Sequence, residues 1–506
     1  MPIDFHAILP EMLLAGTAIL VLVVDLFLED KAKVVDNYLA LAGTVAAGVA
    51  LASLVGQGNR STFGGSFVVD NYALLFKGLF LGSLFIVLLM SGRYIAQGTV
   101  YQGEFYFLVL SSFVGMLLMP SSRDLLMLFL SLEIVSATGF IVAGFRKSDA
   151  RSNEGALKFL LIGVLSTAVM LFGMSLIYGF TGSLHLAQIA QRLQAVGNEP
   201  AAVMAVFLVV TGFAFKVSAA PFHFWAPDTY EGSPVPVAAY LSVASKAAGF
   251  AGLLQVTFVA FPTYSRYWAP GFAVLAALTM LIGNVIALAQ TNMVRLLAYS
   301  SVAQAGYMLV PFAVGSSSPD ARSQAFQAVM IYLLIYAFTN LGAFAVVILV
   351  GQRQSGSLIA DYAGLGQRSP ALATAMTMFL LSLAGLPPLA GWYAKFVVFR
   401  AAINGDRASL FALAVFMGVM TVVALFYYAA IARSMWVSSP PEGAAVPAEG
   451  APPEGEGAAA ERGARPVAAP ALTAAIGLAM AGVVVLGILP NLLVQYAPMS
   501  TLVASR

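Results

Sequence analysis

The chain has 506 residues, of which 60% are hydrophobic and only 9% are Asp, Glu, Lys or Arg, against about 25% charged residues in a soluble globular chain, so it reads as an integral membrane protein. Cysteine is absent and the three histidines, His6, His185 and His223, are scattered, which excludes disulfides, thiolate metal sites, iron–sulfur ligation and a haem pair; no cofactor is expected in this chain. A net charge of +2 argues against nucleic acid or another polyanionic partner, and no Gly-rich run ends in Lys-Ser or Lys-Thr to hold a nucleotide.

Apolar stretches of roughly 20 residues, enough to cross about 30 Å of hydrocarbon, recur at 8–28, 37–56, 71–91, 104–119, 124–144, 155–177, 201–225, 234–257, 269–290, 297–315, 325–350, 371–399, 408–434 and 470–489. An open sheet would leave backbone groups unpaired in lipid, and these runs are far longer than barrel strands. The expected fold is an all-α integral membrane protein with about 14 transmembrane helices. The opening MPIDFHAILPEM has no Lys or Arg before the first span and no small-residue cleavage site after it, so the first span is expected to stay. With the N-terminus outside, the inner loops hold Lys31, Lys33, Arg93, Arg146, Lys147, Arg151, Arg295, Arg353, Arg368, Arg433, Arg462 and Arg465. The outer side then holds Arg60, Arg123, Arg192, Arg266, Arg322, Arg400, Arg407 and Arg506. This excess inside favours both termini on the outer side. Residues 437–470 are Pro-, Ala-, Gly- and Glu-rich and read as a disordered inner loop before the last span.

Five cations remain inside spans: Lys77, Lys158, Lys216, Lys246 and Lys395. All are lysine in a chain with 17 Arg and 8 Lys, an outcome of about one random draw in a thousand. Lysine gives up its proton when desolvated and arginine does not, so this choice suits a proton pathway. Lys77, a turn inside the third span, is expected to snorkel to the interface. Lys158 follows Glu154 by four residues, the favourable helical spacing for an ion pair. Lys246 lies near the middle of the eighth span, where a charge costs about 3 kcal/mol. Glu133 reads as the one carboxylate at mid-membrane depth and calls for a lysine partner, whereas Asp25 and Asp124 sit at span ends.

Two spans are interrupted. GFAFKVSAAPFHFWAPD places Lys216 before Pro221, and LSLAGLPPLAGWYAKF places Pro387 and Pro388 before Lys395. Proline frees carbonyls that protein or water must satisfy, and paired broken helices mark transport paths between internal repeats. Pro221 to Trp225 and Pro388 to Trp392 share a Pro-x-x-x-Trp spacing five spans apart. The expected organisation is a three-helix segment at 1–100, two inverted five-helix repeats at 101–260 and 261–435, the loop at 436–470 and a last helix in 471–506. His223 follows Lys216 by seven residues and would share its face if the helix continued, a place for a proton shuttle.

FKVSAAPFHFWAPDTYEGSPVPVAAYLSVASKAAGF, VRLLAYSSVAQAGYML and LSLAGLPPLAGWYAKF resemble the antiporter-like subunits of proton-pumping NADH:quinone oxidoreductase, respiratory complex I. ILPEMLL, SSRDLLMLFLSLE and NEGALKFLLIG are most similar to its subunit N branch. The resemblance implies a proton-translocating membrane subunit of a bacterial plasma membrane, beside the antiporter-like subunit M and the small subunit K. It implies that NADH, FMN, iron–sulfur clusters and quinone reside in other subunits. It implies Glu133 and Lys216 as an interacting pair, Lys246 as the central lysine and Lys395 as the lysine on the exit side. Lys158, Glu154 and His223 match positions of proton uptake or relay. Gln304 stands where many relatives place a histidine, and Arg295 where relatives often have lysine. A subunit of a cation/proton antiporter with the same fold is the alternative.

Overall fold

The structure is a computed structural model that describes residues 3–29, 32–96, 101–351, 357–405, 407–439 and 470–490. Lys31, Arg353, Arg462, Arg465, Arg506 and nearly all of the low-complexity loop lie outside the described residues.

Every apolar stretch read from the sequence coincides with helix. The first three are α1 (Leu9–Asp25), α2 (Val34–Leu54) and α3 (Asn71–Ala96). Between α2 and α3 a short antiparallel hairpin, β1 (Arg60–Thr62) and β2 (Phe67–Val69), pairs Arg60 with Val69 and Thr62 with Phe67. There follow α4 (Gln102–Ser121), α5 (Leu125–Ala143) and α6 (Ala150–Thr181). Asp124 caps α5 by accepting from the Met127 amide at 2.7 Å, which satisfies one of the orphan donors of a helix start. Asp124 therefore serves as the cap of α5, and Asp25 pairs with Lys33 at 3.4 Å.

The helix α7 (Leu186–Val196) has no counterpart in the sequence reading. Its 11 residues bury Leu186, Ile189, Ala190 and Leu193 along one stripe, so it is amphipathic and far too short to cross. After it come α8 (Pro200–Lys216) and α9 (Trp225–Gly232), separated by the turn that holds Pro221 and His223. The next span is continuous from Val235 to Ala260. It consists of α10 (Val235–Tyr240), a π turn at Leu241–Ser245, α11 (Lys246–Gln255) and a second π turn at Val256–Ala260.

The second half contains α12 (Ser265–Ala287), α13 (Met293–Ala313) and α14 (Pro319–Gly351). Then come a single turn, α15 (Leu365–Arg368), the two pieces α16 (Pro370–Ala384) and α17 (Ala390–Ile403), α18 (Ala408–Val437) and α19 (Pro470–Ile488). Among the described residues, 11 helices are long and apolar enough to cross a membrane. The Val235–Ala260 span is wholly buried within the chain and α13 is 94% buried, whereas α6, α18 and α19 are 33% buried. The former are therefore the interior of the bundle and the latter its rim, and Lys77, Lys216, Lys246 and Lys395 are buried in that interior.

Candidate functional site in the bundle interior

Each broken span ends a helix beside a lysine. Lys216 is the last residue of α8, and the turn beyond it passes through Ser218 at a φ of 58° and Pro221. The unpaired carbonyls of a helix C-terminus carry partial negative charge, a favourable neighbour for a cation. Lys216 is buried and donates to Ser136 Oγ of α5 at 3.1 Å. Glu133 lies one turn before Ser136, and its Oε1 is buried without a hydrogen-bond partner. Glu133 acts on Lys216 through its charge, while the hydrogen bond goes to the serine. The stem of Lys216 lies against Gly249 of α11, where an added Cβ would stand 3.0 Å from Lys216 Cγ. Gly249 is one turn beyond Lys246, so the two lysines are neighbours across α8 and α11.

Lys246 begins α11 directly after the π turn. It is buried, donates to Ser301 Oγ of α13, and its Nζ lies 5.8 Å above the Tyr230 ring. The hydroxyls of Tyr230 and Tyr336 lie beside Ser301. From Ser301 the polar line continues along α13. Ser300 bonds Tyr428 of α18. Gln304 accepts from Tyr332 and donates to Leu383 O at 3.1 Å. A cavity of about 10 Å³, lined by Gln304, Tyr332, Tyr336, Thr339, Ser382 and Ala394, among others, has room for roughly one water.

Lys395 closes the line. It is 7% exposed, donates to Ala384 O at 2.9 Å, and stands 4.5 Å above the Tyr307 ring. Ala384 is the last residue of α16, so Lys395, like Lys216, meets a helix C-terminus. Gly385 ends that helix at a φ of 91°, a conformation that disfavours a side chain. Among the described residues Lys216, Lys246 and Lys395 form no ion pair. This site is therefore built from helix ends, hydroxyls, one amide and aromatic faces.

A second cluster sits where α6, α9 and α13 meet. Lys158 binds Glu154 at 2.7 Å and Asp228 at 2.6 Å. Arg295 binds Asp228 at 2.7 Å and Glu231 at 2.8 Å. Burial pushes the Asp228 carboxyl up, but the hydrogen bonds from Lys158 and Arg295 outweigh it and hold it below its usual range. The Glu154 and Lys158 pair forms as its spacing predicts. Lys158 is not buried in this chain, however, since its side chain is 43% exposed. Asp228 and Glu231 escaped the sequence reading; the signal was a pair of carboxylates three residues apart, directly after the break and near two cations. His223 does not continue the α8 helix. It is buried in the turn, its Nδ1 has no hydrogen-bond partner, and Lys246 is near enough for its charge to act on the ring.

The expectation for Lys77 is overturned. It does not reach the interface but is fully buried, 2.7 Å from Glu11 of α1 and 4.7 Å above the Phe67 ring. Arg123, assigned to an outer loop, is also buried; it binds Asp70 at 2.6 Å and Gln255 Oε1 at 2.8 Å. Among the described residues the interior cations are therefore four lysines and one arginine. The arginine is the one with a carboxylate, an amide and two carbonyls around it, enough acceptors for a group with five N–H donors.

The family model for the transmembrane region of NADH:quinone oxidoreductase and Mrp antiporters matches residues 122–421. The chain belongs to that family. It is 44% identical to NADH-quinone oxidoreductase subunit N 2 of Streptomyces griseus, over 98% of this chain and 94% of the relative. It is 41% identical to subunit N of Trichlorobacter lovleyi, over 84% and 86%. A chain of respiratory complex I from Thermus thermophilus, solved with bound aureothin, matches at a TM-score of 0.76 and 32% identity, over 96% of this chain and 98% of that one. A chain of the Mrp complex from a Dietzia species shares the fold at a TM-score of 0.81 and 22% identity.

Proposed function

We propose that this chain is the proton-translocating subunit N of NADH:quinone oxidoreductase, with Lys246 and Lys395 as its proton-carrying groups. The observation that carries the reading is the polar line between two carboxylate-free buried lysines, from Ser301 past Gln304 to the Ala384 carbonyl. Protons would enter near Glu154, Lys158 and Asp228, pass His223 to Lys246, and move through hydroxyls and water to Lys395. Glu133 and Lys216 form the coupling element. At an effective dielectric of about 20, two charges about 8 Å apart interact by roughly 2 kcal/mol, a pKa change of about 1.5 units, so a change in the Lys216 charge biases the direction in which the Lys246 proton moves.

In this reading the chain crosses the membrane fourteen times: α1 to α6, α8 with α9, the α10–α11 span, α12 to α14, α16 with α17, α18 and α19. Two inverted repeats, 101–260 and 261–435, each hold one broken helix and one lysine at the break. Both termini lie outside a bacterial plasma membrane, subunits M and K are the neighbours, and NADH, FMN, iron–sulfur clusters and quinone belong to other subunits.

The test is NADH-driven proton uptake into inverted vesicles. Lys246→Ala should leave the complex assembled and lower uptake at least tenfold, Glu133→Gln should be nearly as severe, and Glu133→Asp milder. Full pumping by Lys246→Ala would overturn the reading. Sodium transport without NADH would instead place the chain in an antiporter.

A further inference from the structure

An ammonium ion in an apolar interior needs partners for three N–H donors. Lys77 has a carboxylate and a ring; Lys395 has one carbonyl and a ring. The groups that meet Lys395 Nζ are the Ala384 carbonyl at the end of α16 and the Tyr307 ring of α13. Neither bears a formal charge, and among the described residues Lys395 forms no ion pair.

The Tyr307 ring is fixed in place. It is fully buried, its hydroxyl accepts from Asn284 Nδ2 of α12 at 3.2 Å, and that amide is held by Met280 O at 2.8 Å and by the Tyr427 hydroxyl at 3.2 Å. The ring therefore presents its negative face to Lys395 Nζ at 4.5 Å, inside the roughly 6 Å reach of a cation–π contact, which strengthens where water is excluded. A ring has no net charge to neutralise, so it stabilises the ammonium without trapping it as a carboxylate would.

We propose that Tyr307, clamped by Asn284, is a positioning residue that sets the proton affinity of Lys395 through its ring face. The proposal rests on the reading of Lys395 as a proton carrier. Tyr230, 5.8 Å from Lys246, holds the corresponding place at the other lysine.

The test keeps shape and changes only the ring's electrons. In the assembled complex, Tyr307→Phe is compared with trifluorinated phenylalanine at 307, and the protons pumped per NADH are measured across pH. Loss of the negative face disfavours the charged lysine, so the alkaline limb should move to lower pH by about one unit, a tenfold fall in proton affinity. The same fluorination at Phe67, whose lysine also has Glu11, should leave the profile unchanged. Superimposable profiles for the two variants at 307 would overturn the assignment. Lys395→Ala separates the levels: wild-type pumping there removes the proton path itself, whereas lost pumping there with no fluorination shift removes only the role of the ring.

Discussion

The buried pair between Glu11 and Lys77 allows a sharp test of where energy is stored in the N-terminal helices. Glu11 is 5% exposed and Lys77 not at all, the two meet at 2.7 Å, and neither Glu11 oxygen has a hydrogen-bond partner otherwise. Removing one member of a buried pair costs about 3–5 kcal/mol, whereas replacing both with apolar groups of similar volume is often neutral or stabilising. Lys77→Met leaves the carboxylate alone and should show that full loss. Glu11→Gln leaves Lys77 above Phe67, a contact worth up to about 2 kcal/mol when desolvated, so its loss should be nearer 1–3 kcal/mol. Glu11→Leu combined with Lys77→Met should return close to wild type. The assay is thermal dissociation of the purified complex, followed by retention of this subunit on native gels, with protons pumped per NADH unchanged in all three. If both single variants are as harmless as the double, Lys77 reaches water and the burial argument fails.

Two further outcomes follow from local geometry. Gly391→Ala would drive a Cβ into the Ser382 carbonyl oxygen, a backbone atom that cannot swing aside; α17 must then back away from α16 and carry Lys395 off Ala384 O. Overpacking of this kind costs about 1–3 kcal/mol, and pumping should fall at least tenfold, while Gly418→Ala, which meets nothing within 4 Å, should pump normally. At the cluster of Lys158, Asp228 and Arg295, a carboxyl held below its usual value stabilises the fold above the unfolded value of about 3.9, and that contribution fades only as pH falls through the lower folded value. Asp228→Asn should therefore lower the dissociation temperature by the same amount at pH 5 and pH 8. Convergence with wild type between those values would refute the assignment.

The sequence disclosed what physical chemistry makes expensive. Charges in apolar spans and prolines inside helices are unfavourable, so Lys216, Lys246, Lys395, Pro221 and Pro388 stood out, and each sits at or next to the interior site. What stayed hidden was pairing across long separations. Glu11 and Lys77 look interfacial singly because each is near a span end, and only the packing of α1 and α3 against α2 and α4 seals them in. Arg123 was hidden for the same reason. Asp228 and Glu231 lie in the short polar helix α9, where carboxylates are ordinary. Lys158 misled in the other direction, since its apolar surroundings in the sequence become a rim helix in the fold. The helix α7 fell below the length of a span, and nothing in the residue types of 241–245 announces a π turn.

Those π turns matter for the shape of the bundle. Each carries one residue more than α winding requires, and one residue is about 100° of rotation. Between Tyr240 and Phe261 the chain thus holds two surplus residues, and the first of them shifts the phase of α11 relative to α10. Its opening turns look toward α3 and α14, and its later ones toward α4 and α8. A straight rod with a single amphipathic stripe can satisfy neighbours on one side only. This one is phase-shifted along its length, which lets it act as the axle of the bundle, buried from Pro236 to Ala260, with Lys246 set where the first shift ends.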